Sequence, residues 1–292
     1  MSKSLKKLID INRLKEFKSK LNAQSILKRW PDGAAAHNAM WGGRDITAAF
    51  DSGEFSRNVA NVTFKDIFPG DYITKQVTIP QVLADDGTTE LFAGGTYTVN
   101  WVVADCDYWI NKGDTAMTAH HVVIVPQQPI FNTHMNATNT TEGGYAGSEM
   151  YKNIIPACAT GIVNAFGSDH ILMFGDAVTN RVDTSLISGN NPYWTGATVW
   201  WGTWISVQCN LMSEAMVYDG PHCASTALDN IMATRQMSAF RLSERLINHS
   251  RQVWWLRDVA SSARFANAGG GGAAGTGVAL DSFGVRPFAL LR

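Results

Sequence analysis

The stretch from Ala260 to Leu280, A-S-S-A-R-F-A-N-A-G-G-G-G-A-A-G-T-G-V-A-L, constrains the fold most, because it has almost no side chains to bury. Glycine loses more backbone freedom on ordering than any other residue and returns no side-chain burial. A hydrophobic core does not call for such a run. The tract therefore reads as a glycine-rich loop. Gly270, Gly272 and Gly275 formally fit a dinucleotide fingerprint. That motif needs a strand before it and a helix starting at its end, whereas Thr276-Gly277-Val278-Ala279 leads into another strand.

The rest of the chain must supply the core. With 292 residues, 45% of them hydrophobic, 17% charged and 10 of them Trp, it can bury one. A formal net charge of -1 gives the main body no electrostatic footprint for a phosphate backbone, so nucleic acid is not an expected partner. Only the start is basic, with Lys3, Lys6, Lys7, Arg13, Lys15, Lys18, Lys20, Lys28 and Arg29. Cys106, Cys158, Cys209 and Cys223 show no C-x-x-C spacing, and buried reduced thiols are expected. No apolar signal region or bilayer-length stretch is present. A chain made in a cytoplasm, soluble and without membrane insertion, is the expectation.

Apolar Leu8, Ile11, Leu14, Phe17 and Leu21 mark an amphipathic helix from about Ile11 to Leu27, ended by Trp30-Pro31-Asp32-Gly33. A lone helix with so narrow a stripe needs something to pack on, either its own domain or a partner. Residues 33–62 read as a connector, with 45–50 as one helical possibility. Beyond it the pattern predicts a strand pair over Thr63 to Pro80, turning at Pro69-Gly70. Strands come next at Thr96 to Val103 and His121 to Pro126, then helical spacing over Glu149 to Phe166 broken or started by Pro156. Further strands are expected at Val199 to Val207, Val253 to Arg257 and Val285 to Leu290, with a helix over Ala233 to Ile247. Strands and helices mix without βαβ alternation, which makes the fold class α+β.

Catalytic and metal motifs are missing. His120 and His121, adjacent on a strand, point to opposite faces and cannot chelate one ion. Asp105, Asp107 and Asp114 lack the spacing and closing Glu of a calcium loop. No nucleophile elbow, H-E-x-x-H or P-loop occurs, so no catalytic residue, metal or cofactor is assigned. Most of the tryptophans are expected in the core. Trp194, beside Asn190-Asn191-Pro192, is the expected exposed anchor.

Several phrases between Lys65 and Arg292 are similar, in the same order, to a family of phage and gut-bacterial proteins that shares the C-type-lectin-like fold. They are Phe68-Pro69-Gly70-Asp71-Tyr72-Ile73, Asn136-Ala137-Thr138-Asn139-Thr140-Thr141-Glu142-Gly143-Gly144-Tyr145 with Ser148, Trp254-Trp255-Leu256-Arg257, and Phe283-Gly284-Val285-Arg286-Pro287-Phe288. Leu8 to Phe17 resembles the opening of phage fibre and tail proteins. The resemblance implies an attachment helix at 1–32, a connector at 33–62 and a C-type-lectin-like domain at 63–292 with a variable loop at about 258–282. Trp254, Trp255, Arg257, Gly284, Arg286 and Pro287 would be framework. Ser261, Ser262, Arg264, Phe265 and Asn267, with Trp194, would be ligand contacts. In relatives a retroelement randomises the loop, and the Gly, Ala, Ser and Asn content here is compatible with that process or with an ordinary glycine-rich loop. The implied protein is a virion component assembled in the host bacterial cytoplasm. It would attach to other virion proteins through its N-terminus, form a homo-oligomer with a trimer favoured, and bind a protein or glycan on the host surface. The alternative is a decoration protein whose lectin-like domain binds its virion neighbours. Formylglycine-generating oxidases share the broader fold but use C-terminal cysteines, and no cysteine comes after Cys223 here. An enzyme is not expected.

Overall fold

The computed structural model describes residues 43–178, 203–220, 222, 235–248 and 250–292. The expected N-terminal helix with Leu8, Ile11, Leu14, Phe17 and Leu21, and the loop with Trp194, lie outside these residues. Chain contacts divide the protein after Arg44, and the unit Asp45–Arg292 carries every helix and strand of the described residues. It is a mixed α+β structure.

Two short helices open it, α1 (Thr47–Asp51) and α2 (Glu54–Ala60). Phe50, Phe55 and Val59 from these helices enter the main core, with Phe50 edge-on to Phe55 at 5.8 Å and to Phe166 at 5.4 Å. This corrects the connector expected at 33–62, since residues 45–60 belong to the body. Ile46 to Phe50 and Phe55 to Val59 repeat at the four-residue spacing that puts side chains on one helical face. The strand pair expected over Thr63 to Pro80 is also corrected. Val62, Phe64 and Asp66 take left-handed backbone (φ 58, 43 and 60°), and only the second half is a strand. Gly70 donates to Val103 O at 2.9 Å, so the Pro69-Gly70 turn feeds an existing sheet rather than folding back on its own flank.

The first sheet has the order β1-β4-β5-β14-β9, all antiparallel: β1 (Tyr72–Ile79), β4 (Gly95–Cys106), β5 (Val122–Pro126), β14 (Pro287–Leu291) and β9 (Cys209–Leu211). The second has the order β12-β11-β10-β13-β6: β12 (Ala274–Val278), β11 (Arg264–Ala268), β10 (Trp254–Ser261), β13 (Phe283–Val285) and β6 (Phe131–Thr133). Its one parallel pairing joins β10 to β13 at Trp254 and Gly284. Two further two-stranded antiparallel sheets pair β2 (Val82–Leu83) with β3 (Glu90–Phe92), and β7 (Phe174–Val178) with β8 (Thr203–Val207). A π-turn at Met150–Ile154 runs into α4 (Ile155–Phe166), with Pro156 in its first turn, where the missing N–H costs nothing. Short helices α3 (Gly144–Gly147), α5 (Glu214–Tyr218) and α6 (Ser238–Leu242) complete the unit.

Every residue of β10 is buried. Successive strand side chains point to opposite faces, so Trp255 joins the core of Trp101 and Phe265 while Trp254 joins that of Trp109 and Phe288. A strand buried on both faces reads as a continuous apolar run, as W-W-L-R-D-V-A does apart from its charged pair.

The glycine-rich tract is not a free loop. It is the hairpin β11–β12, registered from Arg264 opposite Val278 to Ala268 opposite Ala274. Its glycines answer steric demands from neighbours far along the chain. A Cβ on Gly277 would overlap the Phe283 ring and come within 2.9 Å of Trp255, and one on Gly275 would meet Asn267 Oδ1 at 2.8 Å. Gly271, in the turn, faces open space. Gly277→Ala should therefore destabilise by about 1–3 kcal/mol through overpacking, and Gly271→Ala should stay within about 0.5 kcal/mol. Urea unfolding of the two variants distinguishes this hairpin from a free loop, for which both changes would be silent.

Candidate functional site

The hairpin projects from a frame built of polar groups. Arg286 is the single residue between β13 in one sheet and β14 in the other. Its guanidinium is fully buried and donates to four carbonyls: Pro126 O at 2.7 Å, Leu246 O at 2.8 Å, Ile247 O at 2.9 Å and Gln127 O at 3.3 Å. The rings of Trp254 and Phe240 lie 4.8 and 5.4 Å from its centre. Burial lowers its pKa to about 9, and the fan of acceptors satisfies the cation. Pro287 starts β14, a strand position where a missing N–H is tolerated. Gly284 is bare because a Cβ there would overlap Pro129 and stand 3.2 Å from Trp254 Cβ.

Arg257, in the middle of β10, is fully buried and pairs through both terminal nitrogens with Asp176 of β7, itself fully buried. Asn210 donates to Asp176 at 2.9 Å and accepts from the Tyr145 hydroxyl at 2.6 Å. Burial holds the Tyr145 hydroxyl well above its ordinary pKa, so it stays a donor. Trp254 and Trp255 donate through Nε1 to Ile247 O and Thr133 O, both at 2.9 Å. All six expected framework residues are buried.

The segment from Asn136 to Ser148 clamps the flanks of the hairpin. Thr141 bonds Ser261 O through Oγ1 at 2.7 Å and Ser262 O through its N–H at 3.0 Å. Asn139 Oδ1 accepts from Leu280 N at 3.1 Å, and the N–H groups of Met135 and Asn136 meet Ala279 O. At the turn, Tyr218 donates its hydroxyl to Gly272 O at 2.9 Å and Asn248 its amide to Gly269 O. Sequence reasoning missed Asp176, Asn210, Tyr218 and Asn248. Each is a lone polar residue in ordinary surroundings, and only the folded chain gives it a partner.

The expected ligand contacts divide. Ser262 and Arg264 are half-buried on the hairpin flank, where they can be reached. Phe265, Asn267 and Ser261 are corrections: Phe265 is fully buried, and Asn267 and Ser261 are each 4% exposed. Phe265 faces the core because β11 alternates and its neighbour Gly277 leaves room for Trp255 beside it. Gly271 and Ala273 at the turn are exposed, with Ala274 and Thr276 half-buried behind them.

The other residues singled out in the sequence are engaged in local contacts, with His120 and His121 both bonded to Asp107. His121 is buried, with Nδ1 2.8 Å from Ala119 O and Nε2 accepting from Trp109 N–H at 3.1 Å. His120 is partly exposed and lies 2.7 Å from Asp107. Asp105 binds Arg235 with both oxygens, while Asp114 caps Thr115 N. Among the described residues no three His, Cys, Asp or Glu converge as metal ligands, and no helix is long and apolar enough to cross a membrane. Cys158 and Cys209 are buried thiols, and burial pushes Cys158 up to about 12. No protein-family model matches the chain, and neither the curated proteins nor the solved structures contain a match to it.

Arg257→Met leaves the Asp176 charge buried and should cost about 3–5 kcal/mol, whereas Arg257→Met with Asp176→Leu should recover a large part of it. Denaturant unfolding of the pair measures both. Burial lowers the pKa of His121, so the unfolded chain binds the extra proton first and stability falls as pH drops below 6.5. The Ala119 carbonyl, Asp107 and Asp105 oppose the shift, and His120 adds to it. Urea midpoints at several pH values should fall more steeply below 6.5 in the parent than in His121→Gln.

Proposed function

We propose that this chain is a bacteriophage virion structural protein that binds a host-surface ligand through the β11–β12 hairpin of a C-type-lectin-like domain. Residues 1–32 would attach it to other virion proteins, and a homo-oligomer, a trimer for preference, would present several hairpins at once. The carrying observation is the construction of the hairpin: an exposed turn of small residues held by a buried polar frame. Adaptable backbone on a rigid support is a recurrent arrangement for recognition. Supporting the lectin-like reading, β1 and β14, the first and last strands of the first sheet, flank β4 and β5, while the hairpin belongs to a second sheet.

The contact set is revised to Ser262, Arg264, the turn from Gly270 to Ala274, and Thr276. Buried Phe265, Asn267 and Ser261 act as support. The test is retention of purified chain on host-envelope fractions. Replacing Gly271, Ala273 and Ala274, with Gly270 and the left-handed Gly272 kept, together with Arg264→Ala should weaken retention by about tenfold or more while the unfolding midpoint holds. Unchanged retention would overturn the reading and leave a decoration protein, for which the copies per particle should number in the scores.

A further inference from the structure

The strand β4 is longer than its partner on one side. β1 pairs along it from Gly95 to Val102, whereas β5 pairs only from Trp101 to Cys106. Backbone groups along an antiparallel strand alternate between the two neighbours. Val103 points toward β1, since its N–H donates to Asp71 O at 2.7 Å and its carbonyl accepts from Gly70 N–H at 2.9 Å. The same parity sends Trp101, Val99 and Tyr97 to β1, and Asn100, Thr98 and Thr96 away from it. Gln127 N–H meets Asn100 O at 2.8 Å on that far side, in keeping with the alternation.

The pairing stops there for a chemical reason. Continuing the register would set Pro129 opposite Thr98, and proline has no N–H to give. The chain departs instead into β6 of the other sheet, with Pro129 packed against Gly284. The N–H and C=O groups of Thr96 and Thr98 are left facing a groove of about 370 Å³, walled by Thr96–Asn100 on one side and Gln127–Ile130 on the other. Among the described residues these four groups have no hydrogen-bond partner. No charged side chain lines the groove.

We propose that this groove binds an extended, uncharged segment of polypeptide, which lies beside β4 as an added strand and pairs with the backbone of Thr96 and Thr98. The unmet donors and acceptors recur every second residue, about 6.8 Å apart, which is the repeat another strand presents. The loop 127–130 forms the opposite wall, which favours a single extended segment over the edge of a second folded sheet. A flexible segment of a partner protein fits this description, and the inference is independent of the hairpin reading.

The probe is a blocked pentapeptide of alternating threonine and valine, added to the ¹⁵N-labelled full chain and monitored by amide shifts and hydrogen exchange. Exchange at Thr96 and Thr98 should slow several-fold. A twin peptide N-methylated on every amide should leave both unchanged. Thr98→Pro removes an N–H that β1 does not use and should abolish the effect; should that variant fail to fold, the N-methylated twin on the parent chain still decides. Unchanged exchange at both threonines, an equal response to both peptides, or a response only to the neutral saccharide chitotriose would each overturn the proposal.

Discussion

The placement of Arg286 between the two sheets governs the rest of the structure. β13 and β14 are separated by that one residue, yet belong to different sheets, so the chain must turn inside the protein where backbone carbonyls have no water. A buried cation is costly by itself. Here it meets carbonyls from two other segments, 126–127 and 246–247, whose own bonding needs are met by the same contacts. The guanidinium thus acts as a hub that ties the end of β5, the turn after α6 and the β13–β14 crossing into one place. Lysine, with three donors from a point charge, could not span that set.

Arg257 does related work one layer away, with a different energetic character. Its partner Asp176 carries the opposite charge, and the pair is closed by Asn210 and Tyr145. Such a pair adds little net stability over well-packed apolar residues and penalises any arrangement that separates its members. It therefore favours one docking of the β7–β8 strand pair against β10.

Between these two arginines the chain has freedom only where the frame releases it. Ser261, Phe265 and Asn267 are inside, and Gly275 and Gly277 are bare because Asn267, Trp255 and Phe283 occupy the space a side chain would need. The turn from Gly269 to Ala273 is tethered by carbonyl contacts that are indifferent to side-chain identity. At the exposed Gly271 and Ala273 a side chain can change without disturbing the frame, the condition a recognition surface requires, whereas Gly272 is held by its left-handed backbone and Gly270 by the nearby Arg251 carbonyl.

Period and composition were enough to determine the α+β class, the strands at β4, β5, β10 and β14, a helix over 149–166 that Pro156 either breaks or starts, and the differing burial of His120 and His121; the structure alone puts Pro156 in the first turn of α4. The former are local consequences of alternation, 3.6-residue spacing and the missing proline N–H, each visible within a dozen residues. Tertiary structure alone decided that residues 45–60 join the core and that the glycine tract is a registered hairpin. It also decided that Phe265 and Asn267 are support, and that Asp176, Asn210, Tyr218 and Asn248 complete the frame. The reason is physical. A glycine demanded by a tryptophan 22 positions earlier, or an aspartate neutralised by an arginine 81 positions later, has no local signature. Such residues become legible only when long-range packing brings the two members of each pair together.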